Sequence, residues 1–281
     1  MSNENLREEI LQFGDNARLL GILTLPSLPL QQTPKLPVFV FLSCGVLHRV
    51  GPLRLYVRLA RTLATWGFSS LRVDLSGRGD SSGRPELRNE QTLLADYKEI
   101  VSILEARLGQ SQFVLSGLCS GADNALVLAQ SDQRVIGLLL MDPTFNPDDG
   151  FRLRKFLRRL RNPARYLDPM NYVLWRKLKA ALLIEPPLMI GDPPTRERSR
   201  AAFQAICERK GRALTVFTSS ASKQGYTKLG QLARTMSLPG YEQFCGERFF
   251  STAGHTFDLE HHRRRLLDEV QQWAADFHNR D

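Results

Sequence analysis

Short apolar runs alternate with longer segments of helical periodicity along most of this chain. The runs 37–43 and 135–141 are almost continuously apolar, which is typical of strands buried on both faces of a sheet. Between them, Leu55, Leu59 and Leu63 recur at helical spacing and predict an amphipathic helix over 53–66. This change of period is repeated along the chain and indicates strands that are joined by helices.

The same reasoning predicts the remaining elements. An antiparallel hairpin is expected at 6–13 and 18–25, which flank a turn at Gly14-Asp15-Asn16. Further strands are predicted over 68–73, 112–116, 213–218 and 243–250, and further helices over 92–108, 122–130, 223–236 and 259–277. Strands that alternate with helices in this way predict an α/β fold with a mainly parallel sheet flanked by helices.

The alternation is interrupted between residues 146 and 210. Two amphipathic helices are predicted there, because apolar side chains recur on one face of each. These side chains are Leu153, Phe156, Leu157 and Leu160 in the first helix, and Val173, Leu174, Leu178 and Leu182 in the second. We therefore predict a core of residues 1–145 and 211–281, with 146–210 inserted as a helical cap.

The net charge of +9 is concentrated in this predicted cap. Between Asn146 and Lys179 there are ten basic and three acidic residues, a difference of +7. Either this surface meets an anionic partner, or it is a solvated helix face. No nucleic-acid-binding motif accompanies the charge, so nucleic acid is not an expected partner.

The composition makes several other protein classes unexpected. No stretch has the roughly 20 apolar residues of a membrane span, and the N-terminal segment lacks the charged and apolar regions of a secretory signal. The cysteines show neither disulfide nor metal-ligand spacing; they are Cys44, Cys119, Cys207 and Cys245. We therefore expect a cytoplasmic protein with reduced thiols that needs no metal or cofactor.

The segment Gly117-Leu118-Cys119-Ser120-Gly121 stands between a predicted strand and a predicted helix. A glycine on each side lets the backbone turn sharply and exposes the central side chain, which is the arrangement of a nucleophile elbow. The positive end of the following helix favours a thiolate at Cys119. The alternative is a glycine-rich turn with a buried, inert cysteine.

His255 is the candidate general base for this nucleophile. It is the only one of the five histidines that lies between the last predicted strand and the last predicted helix. A histidine in a loop is also often structural, and His48 is a lesser candidate for the base. A base within hydrogen-bond reach of the thiol increases the thiolate fraction.

The acid of a catalytic triad is harder to assign. It should lie between nucleophile and histidine, but residues 219–240 contain no Asp or Glu. Asp142 at the end of the preceding strand is one candidate, although an Asp before Pro is also an ordinary turn residue. The other interpretation is a dyad of Cys119 and His255. Two weaker candidates for the acid are Asp123 and Asp258.

Four motifs together resemble those of one family. Residues 41–46 resemble an oxyanion loop with Cys44 in place of the usual histidine, and residues 74–81 resemble an Asp-x-x-Gly-x-Gly-x-Ser loop. Gly254-His255-Thr256-Phe257 resembles a catalytic-histidine loop, and the fourth motif is the elbow. The chain thus resembles the α/β-hydrolase superfamily, in its monoacylglycerol-lipase and serine-aminopeptidase-like branch. Residues 48–56 and 117–122 are similar, more closely, to bacterial hydrolases of exopolysaccharide and exosortase systems, many with cysteine at the elbow.

This resemblance implies an α/β-hydrolase fold and further site residues. It implies an oxyanion hole formed by the backbone N–H groups of Val46 and Ser120. Three residues of the same loop are candidate substrate contacts: Leu47, His48 and Arg49. Arg49 either contacts the substrate or anchors the loop. Asp74 and Asp80 are expected to brace their own loop rather than to take part in the chemistry.

The expected function is acyl transfer through an acyl-Cys119 thioester. The substrate is an ester or thioester, and the reaction ends in hydrolysis or in transfer to an acceptor. The basic cap suits a coenzyme A thioester or an acidic acyl carrier protein. The alternative is a catalytically silent protein of the same fold that serves as a binding module, supported only by the missing acid after Thr218. The sequence leaves the acyl chain, the acceptor and the oligomeric state open.

Overall fold

A computed structural model describes residues 6–26, 35–146 and 193–278 of the chain. Most of the predicted cap therefore lies outside the described residues, including both amphipathic helices. The ten basic residues that concentrate the charge lie outside them as well. The cap and its anionic partner stay predictions.

The described residues contain one eight-stranded sheet. Its strands are β1 (Arg7–Phe13), β2 (Leu19–Leu25), β3 (Val38–Leu42), β4 (Ser70–Asp74), β5 (Phe113–Leu118), β6 (Val135–Met141), β7 (Arg212–Thr218) and β8 (Cys245–Phe250). They are ordered β1-β2-β4-β3-β5-β6-β7-β8. Strands β3 to β8 are parallel, whereas β1 and β2 form an antiparallel hairpin and β2 is antiparallel to β4. The predicted mainly parallel sheet and its hairpin are confirmed.

Helices cover both faces of this sheet. They are α1 (Leu55–Thr65), α2 (Asn89–Leu108), α3 (Ser120–Ser131), α4 (Arg196–Glu208), α5 (Gln231–Met236), α6 (Tyr241–Phe244) and α7 (Glu260–Ala274). One apolar core contains side chains of α2 to α6, and a second core contains side chains of α1 and α7. None of these helices is long and apolar enough to cross a lipid bilayer.

Strand β3 shows why the continuous apolar runs form the centre of the sheet. Val38, Val40 and Leu42 point into the first core, and Phe39 and Phe41 point into the second. All five side chains are fully buried. A strand with helices on both faces has no solvated side, so every position along it is apolar.

Helix α4 belongs to the layer that flanks the sheet. Its buried residues Ala202, Phe203 and Ile206 lie in the same apolar core as those of α2 and α3. The helix also packs against α3 and β7. The predicted cap, 146–210, includes this segment, and the bounds of the cap stay a prediction.

The helix predicted over 223–236 is much shorter in the structure. Helix α5 begins only at Gln231. Close to its first turn lies the buried carboxylate of Glu247 on β8, which accepts three hydrogen bonds, from the Leu232 N–H (3.2 Å), the Ala233 N–H (2.6 Å) and the Tyr226 hydroxyl (2.8 Å). The first N–H groups of a helix have no partner within the helix, so this carboxylate favours a helix start at Gln231.

The four cysteines are free thiols. The sulfur atoms of Cys207 on α4 and Cys245 on β8 lie 3.9 Å apart. Their separation of 38 residues in the sequence gave no sign of this proximity, because it depends on how α4 packs beside β8.

Replacing Glu247 with glutamine tests its role at the start of α5. We expect Glu247→Gln to lower the free energy of unfolding by about 1–3 kcal/mol, because hydrogen bonds to a buried charged acceptor are weakened. Urea unfolding followed by circular dichroism measures the change. Glu242→Gln is the control, since Glu242 is exposed on α6. Equal stability of the two variants would contradict the proposed role.

Candidate active site

The carboxyl ends of the parallel strands meet at one edge of the sheet, where binding sites of such folds form. The segment after β3 begins at Ser43, Cys119 follows β5, and Asp142 follows β6. The loop after β8 carries His255. The topology therefore brings together residues that are far apart in the sequence.

Cys119 has a strained backbone conformation at the turn from β5 to α3. Its φ of 54° and ψ of −123° are unusual for a residue other than glycine, and such conformations cost about 1–3 kcal/mol. Backbone hydrogen bonds hold it in place. Its N–H donates to the Met141 carbonyl (2.9 Å), and its own carbonyl accepts from the N–H groups of Ala122 (2.9 Å) and Asp123 (3.0 Å). The side chain of Cys119 is exposed, as a nucleophile at an elbow must be.

Close backbone contacts explain both glycines of the elbow. A Cβ atom on Gly117 would lie 2.2 Å from the carbonyl carbon of Gly121. A Cβ atom on Gly121 would lie 2.6 Å from the Leu42 carbonyl oxygen. Neither neighbour is a flexible side chain that can move away. Only glycine at both positions allows α3 to begin this close to β3 and β5.

The hydroxyl group of Ser120 connects α3 to the loop after β3. It accepts a hydrogen bond of 2.8 Å from the Gly45 N–H, which is therefore not available to a substrate. Within the described residues, neither the Val46 N–H nor the Ser120 N–H donates a hydrogen bond to the protein. The two donors predicted for the oxyanion hole thus remain free to bind a developing negative charge.

Tyr56 on α1 supports the elbow from below. Its buried hydroxyl accepts a hydrogen bond from the Leu118 N–H (2.8 Å) and donates one to the Leu42 carbonyl (3.2 Å), so it joins the ends of β5 and β3. Burial raises the pKa of Tyr56 well above its ordinary value. Burial and the nearby Cys119 thiol also raise the pKa of Cys44 to about 11, so Cys44 is a neutral thiol at physiological pH.

Asp142 and His255 form the central hydrogen bond of the site. Asp142 Oδ2 lies 2.8 Å from His255 Nδ1, and the carboxylate is buried whereas 38% of the histidine side chain is exposed. The hydrogen bond to Asp142, and secondly the interaction with the Cys119 thiol, raise the pKa of His255 to about 10 although burial opposes this. The imidazole therefore connects the carboxylate to the thiol.

Thr218 at the end of β7 orients the Asp142 carboxylate. Its N–H donates to Oδ1 (2.6 Å), and its hydroxyl donates to Oδ2. Asp142 itself has a φ of 43°, and its N–H donates to the Val216 carbonyl (2.8 Å). The strand end after which the sequence lacks an Asp or Glu thus carries Thr218, which binds the carboxylate of Asp142 just after β6.

The two weaker candidates for the acid, Asp123 and Asp258, are not hydrogen-bonded to His255 in the described part of the chain. Asp123 on the first turn of α3 accepts hydrogen bonds from the Thr144 N–H (2.8 Å) and hydroxyl (2.7 Å), and burial raises its pKa. It thereby ties α3 to the turn that carries Asp142. Asp258 lies on the loop of His255, and its carboxylate takes part in none of the hydrogen bonds of that imidazole within the described residues.

Two carboxylates brace the loop that carries the predicted substrate contacts. The Arg49 guanidinium binds both Asp74 and Asp80, with 2.7 Å to the latter. The N–H groups of Arg49 and Asp80 also donate to Asp74. These bonds fit the anchoring alternative for Arg49 and the bracing role of the two acids. Leu47 and His48 are exposed on the same loop, and their contact with substrate stays a prediction.

Residues 44–213 match the family described as serine aminopeptidase, S33, which is more than half of the 281-residue chain. The chain belongs to this family. No curated protein matches the sequence.

Solved structures with the same fold cover almost the whole chain. Est1E from Butyrivibrio proteoclasticus has a TM-score of 0.57 and 11% identity, over 96% of this chain and 99% of that one. An α/β serine hydrolase homologue from Coxiella burnetii has a TM-score of 0.54 and 14% identity, over 95% and 96%. The esterase domain of a Rhodothermus marinus protein has a TM-score of 0.55 and 14% identity, over 96% and 97%. The predicted α/β-hydrolase fold is confirmed.

The family is named for serine, whereas the central residue of this elbow is Cys119. Two serines flank it in the sequence. The Ser116 hydroxyl is buried within β5, and the Ser120 hydroxyl is bound by Gly45. Neither serine occupies the centre of the turn, so the elbow presents a thiol.

Some residues of the site were not predicted from the sequence. Asp142, His255 and Cys119 were candidates from the sequence, and the structure brings them together. Tyr56 and Thr218 were not candidates, and the structure gives them supporting roles. A tyrosine in a helix and a threonine at a strand end match no motif. Their contribution depends on contacts between separate strands, which the sequence pattern does not show.

Replacing Ser120 with alanine tests the connection between α3 and the oxyanion loop. We expect Ser120→Ala to lower kcat for ester cleavage about tenfold with little change in KM, less than the 10²–10³ of a lost oxyanion donor, because the loop loses one anchor but keeps its N–H groups. Steady-state kinetics measure both constants. Ser116→Ala is the control, because the Ser116 hydroxyl has no hydrogen-bond partner in the described part of the chain. If both variants keep wild-type kcat, the link has no role in catalysis.

Replacing Asp142 with asparagine tests the coupling to His255. We expect the pKa of His255 to fall from about 10 towards its ordinary value of 6.5, because the largest contribution to the shift is removed. NMR titration of ¹⁵N-labelled imidazole groups measures this. Asp258→Asn, on the same loop as His255, should leave the titration unchanged. If the pKa of His255 is the same in Asp142→Asn and in the wild type, Asp142 is not paired with His255.

The same shift predicts how stability depends on pH. Because the pKa of His255 is higher in the folded state, the pairing stabilises the fold fully below about pH 6.5, and this contribution is lost as pH rises towards 10. The difference in unfolding free energy between wild type and Asp142→Asn should therefore narrow over this range. A difference that widens with pH would contradict the assignment.

Proposed function

We propose that this protein is an acyl-transfer enzyme that works through a covalent acyl-Cys119 intermediate. The observation that carries the proposal is the series of side chains Asp142, His255 and Cys119, in which Asp142 is hydrogen-bonded to His255 and the imidazole interacts with the thiol. The series ends at an exposed thiol on a strained backbone turn. Strain of this kind persists where the surrounding structure holds it for a function.

In the first half of the reaction, the Cys119 sulfur attacks the carbonyl carbon of an ester or thioester. The carbonyl oxygen becomes an oxyanion, which the N–H groups of Val46 and Ser120 stabilise. The bond between the carbonyl carbon and the leaving group then breaks. Protonated His255 gives its proton to the leaving alcohol or thiol, and a thioester remains on Cys119.

In the second half, an acceptor attacks this thioester and gives its proton to His255. The carbon–sulfur bond breaks, and the thiolate of Cys119 is restored beside the protonated imidazole. Water as the acceptor gives hydrolysis, and an amine or thiol gives transfer. A thioester reacts with amines and thiols in preference to water more than an oxyester does, so a cysteine at the elbow favours transfer.

The raised pKa of His255 fits these roles. With a pKa of about 10, the imidazole carries a positive charge at neutral pH. A positive imidazole can give its proton to the leaving group, which is its role in the first half of the reaction. The Asp142 carboxylate stabilises the positive charge of the imidazole and orients the ring so that Nδ1 faces Asp142.

Two features support an apolar acyl group and a carrier-bound donor. Val46 and Leu53 on the segment after β3 are 75% and 56% exposed, and Leu47 is also exposed. The predicted basic cap suits the anionic groups of coenzyme A or an acidic acyl carrier protein. The resemblance to hydrolases of exosortase systems, many with cysteine at the elbow, supports the same nucleophile.

The main support for the alternative, a catalytically silent binding protein, is weakened by the position of Asp142. The alternative was supported only by the absence of an acid after Thr218. Thr218 instead binds the carboxylate of Asp142, which reaches His255 from β6. A histidine that is paired with a buried carboxylate and interacts with the Cys119 thiol favours an enzyme.

Two substitutions at Cys119 test the proposal. We expect Cys119→Ala to lower kcat/KM by about 10³-fold or more with the fold intact, because the nucleophile is lost. Cys119→Ser should keep some ester hydrolysis through an oxyester, but with a smaller ratio of amine transfer to hydrolysis. Product analysis with one acyl donor and a primary amine measures that ratio. An active Cys119→Ala, or an unchanged ratio in an active Cys119→Ser, rejects the acyl-thioester.

A further inference from the structure

One cavity in the described part of the protein does not include the proposed catalytic residues. It has a volume of about 480 Å³ and lies between the loop after β4, the start of α2, and α3. Its lining includes Leu75, Arg78, Arg84, Asn124, Val127 and Arg198. None of the proposed catalytic residues, Cys119, His255 and Asp142, lines it.

Arg78 is the unusual group of this cavity. Its side chain is only 6% exposed, and burial lowers its pKa. Nη1 donates to the Ser43 carbonyl (2.7 Å), but Nε has no hydrogen-bond partner in the described part of the chain. A buried guanidinium normally has an ionic partner, because removing its charge from water is costly.

The other two arginines of the cavity have such partners. Arg84 binds Asp96 (2.9 Å) and Glu99 (2.6 Å), and Arg198 binds Glu90 (2.7 Å). Among the described residues, no carboxylate lies within ion-pair distance of Arg78. Asp96 acts on Arg78 only at longer range, and its oxygens already accept bonds from Arg84 and from Ser76.

We propose that this cavity binds an organic carboxylate, with the carboxylate on Arg78. A guanidinium matches the planar geometry of a carboxylate, and Leu75, Leu93 and Val127 provide an apolar surface for the rest of the ligand. Glu90 and Asp96 also line the cavity, which disfavours a doubly charged anion such as phosphate. A cavity of this volume accommodates a medium-chain carboxylate. The proposal does not rest on the chemistry at Cys119.

Isothermal titration of the full-length protein with octanoate tests the site. We expect octanoate to bind at least about tenfold more tightly than octan-1-ol or inorganic phosphate, because only octanoate satisfies both Arg78 and the apolar surface. Arg78→Gln should weaken octanoate binding by at least about tenfold. Arg88→Gln is the matched control, since Arg88 is exposed ten residues along the chain and does not line the cavity.

Two further measurements keep the result decisive. Val127→Phe fills the cavity and leaves Arg78 unchanged, so it should also weaken octanoate binding. This variant decides the outcome if Arg78→Gln does not fold. Alkylation of Cys119 with iodoacetamide should leave octanoate binding intact. The proposal is overturned if octan-1-ol or phosphate binds as tightly as octanoate, if a folded Arg78→Gln binds like wild type, if Val127→Phe has no effect, or if alkylation abolishes binding.

Discussion

The carboxylate of Asp142 is the interaction on which the geometry of the site depends. It accepts hydrogen bonds from Thr218 at the end of β7 and interacts with His255 from the loop after β8. One buried group thus connects three strand ends and supports the positive charge of the imidazole. A buried carboxylate without such partners would be costly, so the same bonds that stabilise Asp142 also place His255.

The elbow contributes a second constraint. Gly117 and Gly121 allow β5 and α3 to approach the end of β3 so closely that no side chain fits between them. Tyr56 and Ser120 then hold the neighbouring segments, through the Leu42 carbonyl and the Gly45 N–H respectively. The strained backbone of Cys119 is maintained by this packing. In the part of the chain that the structure describes, the N–H groups of Val46 and Ser120 have no acceptor.

The sequence predicts the parts of this arrangement that depend on local pattern. Strands β3 and β6 are continuous apolar runs. Such runs can be recognised in the sequence because both faces of the strand are buried. The elbow and the histidine loop are short motifs with fixed spacing. The start of α5 was missed because it depends on Glu247, which comes from a later strand. The acid remained open because its orientation depends on Thr218, 76 residues further along the chain.

We propose that Cys119 carries the acyl group during turnover. The most direct measurement is acid quenching during turnover of an acyl thioester, followed by fragmentation mass spectrometry of the segment 113–131. We expect one acyl group on Cys119 that neutral hydroxylamine removes. An acyl group on Ser116 or Ser120, or an unmodified Cys119 under conditions of steady turnover, would contradict it.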